Sequence, residues 1–536
     1  MSLNSTLPKN VLPLFLVRLD VRSWRPYCLL ILVVHSYHIG VPLFGQAIDP
    51  IDSQKVLNLK TFATYTSSSS ESTSAKLDDP SLSNDSAAID LDHPKDGSGR
   101  IFVSTNEGTI HAYSSSGTPL GVFLDMTEPD ATPDFERSVR FTTRGLSYIA
   151  FHPDYGVTGS PGEGKLYTLY KTKEPGERTP DYSAADLPTK PGDVLSQFAI
   201  AEWTVDDNNP NRIDISSRRE VIRFELSGNA EDSHGVGQIA FNPFAKQGEP
   251  DYGILYIPLG DMYSGGYLHN WQHVQDEDNP FGKILRINPL AINGDPYSIP
   301  TDNPFADGGP LLDDDGITEE IASVGFRYPQ NLSFAKDSNG NIRLLVFDIG
   351  ADKYEELNIV DIGDNHGWTS YDGHKKVNRD PDVTTMLNPS EKLRLEFPAG
   401  TYDHIFPTAP GKSPTPGGTA IGGGFVVSDP DDATFQNQVL FGDLARGSFF
   451  HADFDALVSA DAANTQATIS VMHVTLDGSH PGSFPDFIGT SDRGDVRFGV
   501  DESGRVFLVS RRTNAIYLTD MIADQPNLLA LTGTDQ

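Results

Sequence analysis

Short runs in which apolar and polar positions alternate, broken by clusters of Gly, Asp and Asn, recur along the chain from about residue 93 onward. A period of two puts successive side chains on opposite faces of an extended strand, so the pattern predicts strands joined by tight turns. Few stretches carry the 3.6-residue apolar period of an amphipathic helix.

The strands return as one unit. Ile101-Phe102-Val103-Ser104 leads to Thr109-Ile110-His111-Ala112-Tyr113, and Ile149-Ala150-Phe151 leads to Leu166-Tyr167-Thr168-Leu169-Tyr170. Ile239-Ala240-Phe241 pairs with Ile254-Leu255-Tyr256-Ile257, and Leu332-Ser333-Phe334 with Leu344-Leu345-Val346-Phe347. Phe425-Val426-Val427 precedes Val439-Leu440-Phe441, and Val496-Arg497-Phe498 precedes Val506-Phe507-Leu508-Val509. These six copies stand roughly 55 to 95 residues apart. One unit cannot cover both of its faces, so the copies are expected to stack around an axis. The predicted fold is all-β, a six-bladed β-propeller over 93–522 with long inserted loops on one face and a C-terminal tail at 523–536. The insertions 172–220, 262–282 and 364–415 are where chemistry is expected, since loops on a rigid scaffold carry function.

Composition fits this: 49 Gly and 38 Pro supply turns, and 29 Phe with 19 Tyr supply a core. With 40 basic and 74 acidic side chains the formal charge is −34, which repels phosphate backbones and argues against nucleic acid as a partner. Arg18, Arg22 and Arg25 precede the apolar run Cys28-Leu29-Leu30-Ile31-Leu32-Val33-Val34, and small residues follow at Gly45 and Ala47. That order predicts a signal peptide over 1–47, with a retained anchor as the alternative, and an exported protein, periplasmic or secreted, with no membrane span in the mature chain. Cys28 is the only cysteine, so cleavage near Ala47 leaves none. Residues 48–92, rich in Ser, Thr and Asp, read as a flexible linker.

Generic signatures name no activity. Gly411-Lys412-Ser413 ends like a phosphate-binding loop, but Phe406 stands where the first Gly belongs. Asp313-Asp314-Asp315-Gly316 lacks the register of an EF-hand. No His-Glu-x-x-His, Gly-x-Ser-x-Gly or nicotinamide fingerprint occurs.

Six segments fall in one order. They are Asp96-Gly97-Ser98-Gly99-Arg100-Ile101-Phe102-Val103; Arg144-Gly145-Leu146 with Ile149-Ala150-Phe151-His152-Pro153-Asp154-Tyr155; and His234-Gly235 through Ala240-Phe241. Gln275-Asp276 follows with Gly282-Lys283-Ile284-Leu285-Arg286-Ile287, then Gly325-Phe326-Arg327-Tyr328-Pro329-Gln330-Asn331 with Glu356-Leu357-Asn358 and Asn365-His366-Gly367-Trp368. The last is Asp495-Val496-Arg497 with Asp501-Glu502-Ser503-Gly504. In this order, over about 95–520, the chain resembles the glucose/sorbosone dehydrogenase family.

The resemblance implies a propeller that holds pyrroloquinoline quinone (PQQ) and calcium (Ca2+) at one end of its axis. It implies oxidation of an aldose sugar or related polyol by hydride transfer to the quinone, with electrons passed to an external acceptor. His234 takes the general-base position, where an imidazole suits removal of a hydroxyl proton. Asp232, two residues earlier, is a candidate to orient its ring. Arg327 matches the arginine that stabilises charge growing on the quinone oxygen. Gln330, Gln275, Arg493 and Arg497 complete the implied cofactor-binding set. Gly350 and Ala351 take the place of the carbonyls that bind the quinone-side calcium, with Asp348 able to add charge. The chain departs from the family pattern in four ways: Tyr328 replaces an Asn, Ala351 replaces a Pro, the loop Asp261-Met262-Tyr263-Ser264-Gly265-Gly266 differs, and the C-terminal arginines are offset. Two other readings stay open. One is a non-catalytic propeller that binds a protein or glycan, and the other is a calcium-dependent lactonase-type hydrolase.

Overall fold

The computed structural model describes residues 51–65, 87–128, 130–137, 145–173, 178–187, 195–227, 234–262, 271–307, 309, 317–351, 353–376, 393–404, 418–430, 435–479, 482–490 and 493–522. The expected leader at 1–47, the tail at 523–536 and Asp232 lie outside them.

Strands dominate, and they sort into sheets that meet at a centre. Ala88–Asp92, Leu146–Phe151, Ala240–Phe241, Pro329–Lys336, Ile421–Val426 and Val496–Val500 each form the inner strand of a run. The runs pack against one another in that order, the third meeting the fourth through Leu255–Leu259, and Val496–Val500 returns to lie on Ala88–Asp92. From each inner strand the chain steps outward in antiparallel pairs, as in Ala88–Asp92, Ile101–Thr105, Thr109–Tyr113 and Pro119–Asp125. This radial stack is an all-β propeller, as the alternation predicts.

Stacking covers each sheet on both faces. Ile101–Thr105, Leu146–Phe151 and Leu255–Leu259 are therefore buried along their whole length, and strict alternation gives way there to continuous apolar runs. Near the centre the backbones approach so closely that glycine is required. A Cβ at Gly499 would lie 2.4 Å from the Leu91 carbonyl oxygen, and one at Gly237 would lie 2.2 Å from that of Pro329.

Polar side chains tie the inner strands together. Asp90 accepts the Ile149 amide at 3.0 Å and Gln238 Nε2 at 2.8 Å. Gln238 Oε1 in turn accepts Asn331 Nδ2, and Asn331 Oδ1 accepts the Gly424 amide at 3.4 Å. Gln330 Nε2 donates to the Tyr148 hydroxyl at 2.7 Å. Inner strands from successive sheets are thus joined by hydrogen bonds that water does not reach.

Residues 48–92 are not one linker. Ile51–Thr64 is a strand, seated between Ser470–Leu476 in parallel and Ala515–Ile522 in antiparallel register, and it joins a four-stranded run and a three-stranded run into one eight-stranded sheet. Ala88–Asp92 is itself an inner strand. The reason is burial: Val56, Leu57, Leu59, Ile89 and Leu91 are at most 2% exposed, an apolar content that no solvated linker carries. Residues 66–86 between the two strands lie outside the described residues.

Leu59→Ala is expected to lower the unfolding free energy by about 3 kcal/mol through the cavity it leaves. Lys60→Ala, which loses only an exposed pair with Asp520, should change it by less than about 0.5 kcal/mol. Urea midpoints compared at constant slope check both.

Candidate active site

One cavity of about 400 Å³ draws its walls from several sheets. His234, Arg327, Ala351, Arg493 and Arg497, all singled out in the sequence, line it together. His234 lies between the second and third sheets and holds a left-handed backbone with φ +69°, uncommon for a residue with a side chain. The turn is locked from below. The Gly260 amide donates to the Gly235 carbonyl at 2.7 Å, and a Cβ at Gly260 would lie 2.4 Å from the His234 carbonyl oxygen.

The ring of His234 is held by Asp261; the sequence candidate Asp232 lies outside the described residues. Nδ1 and Asp261 Oδ1 are 2.6 Å apart, and Asp261 Oδ2 accepts Trp368 Nε1 at 2.8 Å. The Asp261 amide also donates to the Arg327 carbonyl at 2.8 Å, so base and arginine share one scaffold. Burial alone would raise the Asp261 carboxyl. His234, Arg327 and the Trp368 hydrogen bond outweigh it and hold the group below its ordinary value.

Arg327 is held at three points. Its amide donates to Asp348 Oδ2 at 2.9 Å, its Nη1 donates to the Ile349 carbonyl at 2.9 Å, and its guanidinium lies over the Trp368 ring at 5.9 Å. Its Nε has no hydrogen-bond partner among the described residues, and neither has that of Arg497. Arg511, which the sequence reading did not single out, joins them on the wall. Buried Asp495 gathers the cluster: it pairs with Arg493 at 2.8 Å, with Arg511 at 3.3 Å and with Arg512. Burial opposes ionisation of Asp495, but these arginines overcome it and hold the carboxyl far below its ordinary value.

His404 also lines the cavity and was missed. Its Nδ1 pairs with the buried Glu355 carboxylate. Burial would lower this imidazole, yet the Glu355 contact raises it above its ordinary value.

Other expected residues stand behind the wall. Gln275 braces the neighbouring loop, with Nε2 to the Trp368 carbonyl at 2.6 Å and Oε1 accepting Asn365 Nδ2 at 2.7 Å. Gln330 gives its Nε2 to Tyr148, within the axial hydrogen bonds. Asp348 closes a turn, its two oxygens accepting the amides of Arg327 and Tyr328 at 2.9 and 2.6 Å. Gly350 lies beside the lining residue Ala351, and a Cβ there would meet the Tyr354 carbonyl oxygen at 1.4 Å. Buried acids pin both amides: Gly350 to Glu355 at 3.3 Å and Ala351 to Asp372 at 3.4 Å. Residues 263–266 of the departing loop lie outside the described residues.

A family model described as Glucose / Sorbosone dehydrogenase matches residues 88–474. The HIPL1 protein of Arabidopsis thaliana is 28% identical over 455 residues, covering 79% of this chain and 60% of that protein. Quinoprotein glucose dehydrogenase B of Acinetobacter calcoaceticus is 26% identical over 240 residues, covering 43% of this chain and 41% of its own length. The chain therefore spans less than two thirds of the length of these relatives. A solved glucose dehydrogenase shares the fold at a TM-score of 0.51 and 16% identity, over 82% of this chain and 98% of that one.

The depressed Asp495 has a consequence for stability. A carboxyl whose folded pKa lies below its unfolded one stabilises the protein above the unfolded value, near 4, and loses that contribution as pH falls further. Asp495→Asn is expected to lower the melting temperature at pH 7, and the gap from the native chain should narrow steadily below about pH 4. Melting curves of both chains between pH 7 and 2.5 measure it.

Proposed function

Because the chain belongs to the glucose/sorbosone dehydrogenase family, we propose that it is a PQQ- and calcium-dependent dehydrogenase of an aldose sugar or related polyol. The observation that carries this reading is the joining of an oriented histidine and a group of arginines on one cavity wall. The donor set fits PQQ, an anion with several carboxylates. No Asp or Glu is among the described residues lining the cavity, while Arg327 and Arg497 each bring a buried Nε without a partner. Arg493, Arg497 and Arg511 would hold its carboxylates, with the planar fork that suits them. Calcium would be held by the carbonyls of Gly350 and Ala351, hard oxygen donors on a backbone pinned by Glu355 and Asp372 in place of the family's proline. When bound, the quinone supplies a two-electron acceptor for the hydride of the sugar's hydroxyl-bearing carbon.

The chain's own residues do the rest. Asp261 keeps the proton of His234 on Nδ1, which leaves Nε2 as the nitrogen to accept the hydroxyl proton, and it stabilises the imidazolium that forms. Arg327 cannot lose its proton, so its guanidinium meets negative charge growing on an oxygen at the wall. The same reading counts six blades, taking the eight-stranded sheet as two. It also puts the protein outside the cytoplasm, where the leader-like residues 1–47 would send it. No described helix is long and apolar enough to cross a membrane. The electron acceptor would be external.

One observation favours a second reading, a propeller that binds without reacting. Tyr328 stacks on the His234 ring, with centroids 5.7 Å apart and planes 12° apart.

Reconstitution with calcium and PQQ, followed by dye reduction with a panel of aldoses, tests the proposal. His234→Ala should lower kcat by about 10²- to 10⁴-fold. Arg327→Lys should lower it by about 10- to 100-fold with the fold intact, since a lysine does not reproduce the fixed guanidinium. Failure to bind PQQ at saturating calcium would give the lead to the binding reading.

A further inference from the structure

Lys283 is a fully buried lysine, placed where the third sheet enters the strand Lys283–Ile287. Its ammonium sits among oxygens of one loop. It donates to the carbonyls of His273 at 2.9 Å, Phe281 at 2.9 Å and Val274 at 3.3 Å, and to Asn279 Oδ1 at 3.4 Å. Burial pulls the ammonium down to about 7, and the carboxylates of Asp276, Asp278 and Glu277 on the same loop oppose that fall.

The clamped loop is the floor of the His234–Asp261 pair. His273 Nε2 donates to the Asp261 carbonyl at 2.8 Å. Gln275, two residues on, donates to the Trp368 carbonyl at 2.6 Å, and Trp368 Nε1 donates to Asp261 Oδ2 at 2.8 Å. Val274 forms a small apolar cluster with Trp368 and Ala351. Two routes therefore run from Lys283 to Asp261, one through its backbone and one through its carboxylate.

We propose that Lys283 is a positioning residue for the His234–Asp261 pair, its ammonium acting as an internal cation that fixes the 273–281 loop beneath Asp261. This rests on the reading of His234 as the base. A purely structural buried lysine would be expected to affect stability alone. A lysine bonded to this loop sets the height and angle of Asp261, and through it the tautomer of the imidazole.

The test uses the full chain with ¹⁵N-labelled histidine, the His234 signals being assigned with His234→Gln. Lys283→Met is nearly isosteric and removes the charge. It is expected to replace the single Nδ1-protonated signal of His234 by exchange between tautomers. In the PQQ- and calcium-loaded protein it should lower kcat by about 10- to 100-fold with KM within about twofold, as for a misplaced group that acts in the transition state. A lowered melting temperature with the His234 tautomer unchanged overturns the proposal and leaves Lys283 a stabilising residue only. If Lys283→Met does not fold, Asn279→Ala decides. That change keeps the ammonium but removes Asn279 Nδ2 from the carbonyls of His273 at 2.9 Å and Asp276 at 3.4 Å. It should disturb the tautomer in the same sense, and an undisturbed tautomer overturns the idea. The tautomer is read without turnover, so a chain that oxidises no sugar still decides the role of Lys283.

Discussion

Hydrogen bonds between buried polar side chains at the centre are the constraint on which the rest depends. Sheets that stack radially bring their inner strands together, and inner strands carry backbone and side-chain polar groups that water does not reach. Asp90, Gln238 and Asn331 are linked across successive sheets, and Gln330 Nε2 donates to Tyr148. Each link fixes the register of one sheet against the next, because a buried donor or acceptor left unmatched costs more than the bond itself contributes. Burial pushes Asp90 up to about 6, against its bonds to Ile149 and Gln238, so the centre holds its acid at some cost in exchange for a defined arrangement.

The cavity inherits that order. Gln238, which accepts from Asn331 and donates its amide to the Gln330 carbonyl at 3.0 Å, lies four residues after His234. Arg327 lies three residues before Gln330, and Arg497 on the last inner strand is close enough for its charge to act on both Asp90 and Tyr148. Two buried carboxylates then do complementary work. Asp261 orients a base, and Asp495 gathers arginines that would repel one another without it. A site lined by four arginines and, among its described residues, by no Asp or Glu, inside a protein with a formal charge of −34, is an electrostatic exception to its own surface.

Much of the fold was legible because a repeated strand pattern survives long insertions. The closing strand was not. Ile51–Thr64 and Ala88–Asp92 flank a Ser-rich stretch whose composition masks the short apolar runs Val56-Leu57 and Ile89-Asp90-Leu91. At the cavity, resemblance carried His234, Arg327, Arg493 and Arg497 to a common wall, but it could not tell a lining residue from a brace. Gln275 and Gln330 are matched residues whose amide nitrogens donate to neighbours. Asp261, 27 residues after His234 in sequence, gave no local signal as its partner, since only the third sheet brings it beside the ring. His404 gave no local signal, while Arg511-Arg512, directly after a buried strand, was a visible pair of cations without a role.

The eight-stranded sheet makes folding a matter of timing. Thr64 pairs with Ala515, so an early segment of the chain finds its partner only after nearly every other strand has been made. Until then Leu57 and Leu59 have nothing to cover them, and the nascent protein is a half-open ring with a sticky lip. Once the two segments meet, the first described strand is bonded to the last in one sheet. A chain cut in any outer loop would still be held shut by strands on either side of the break.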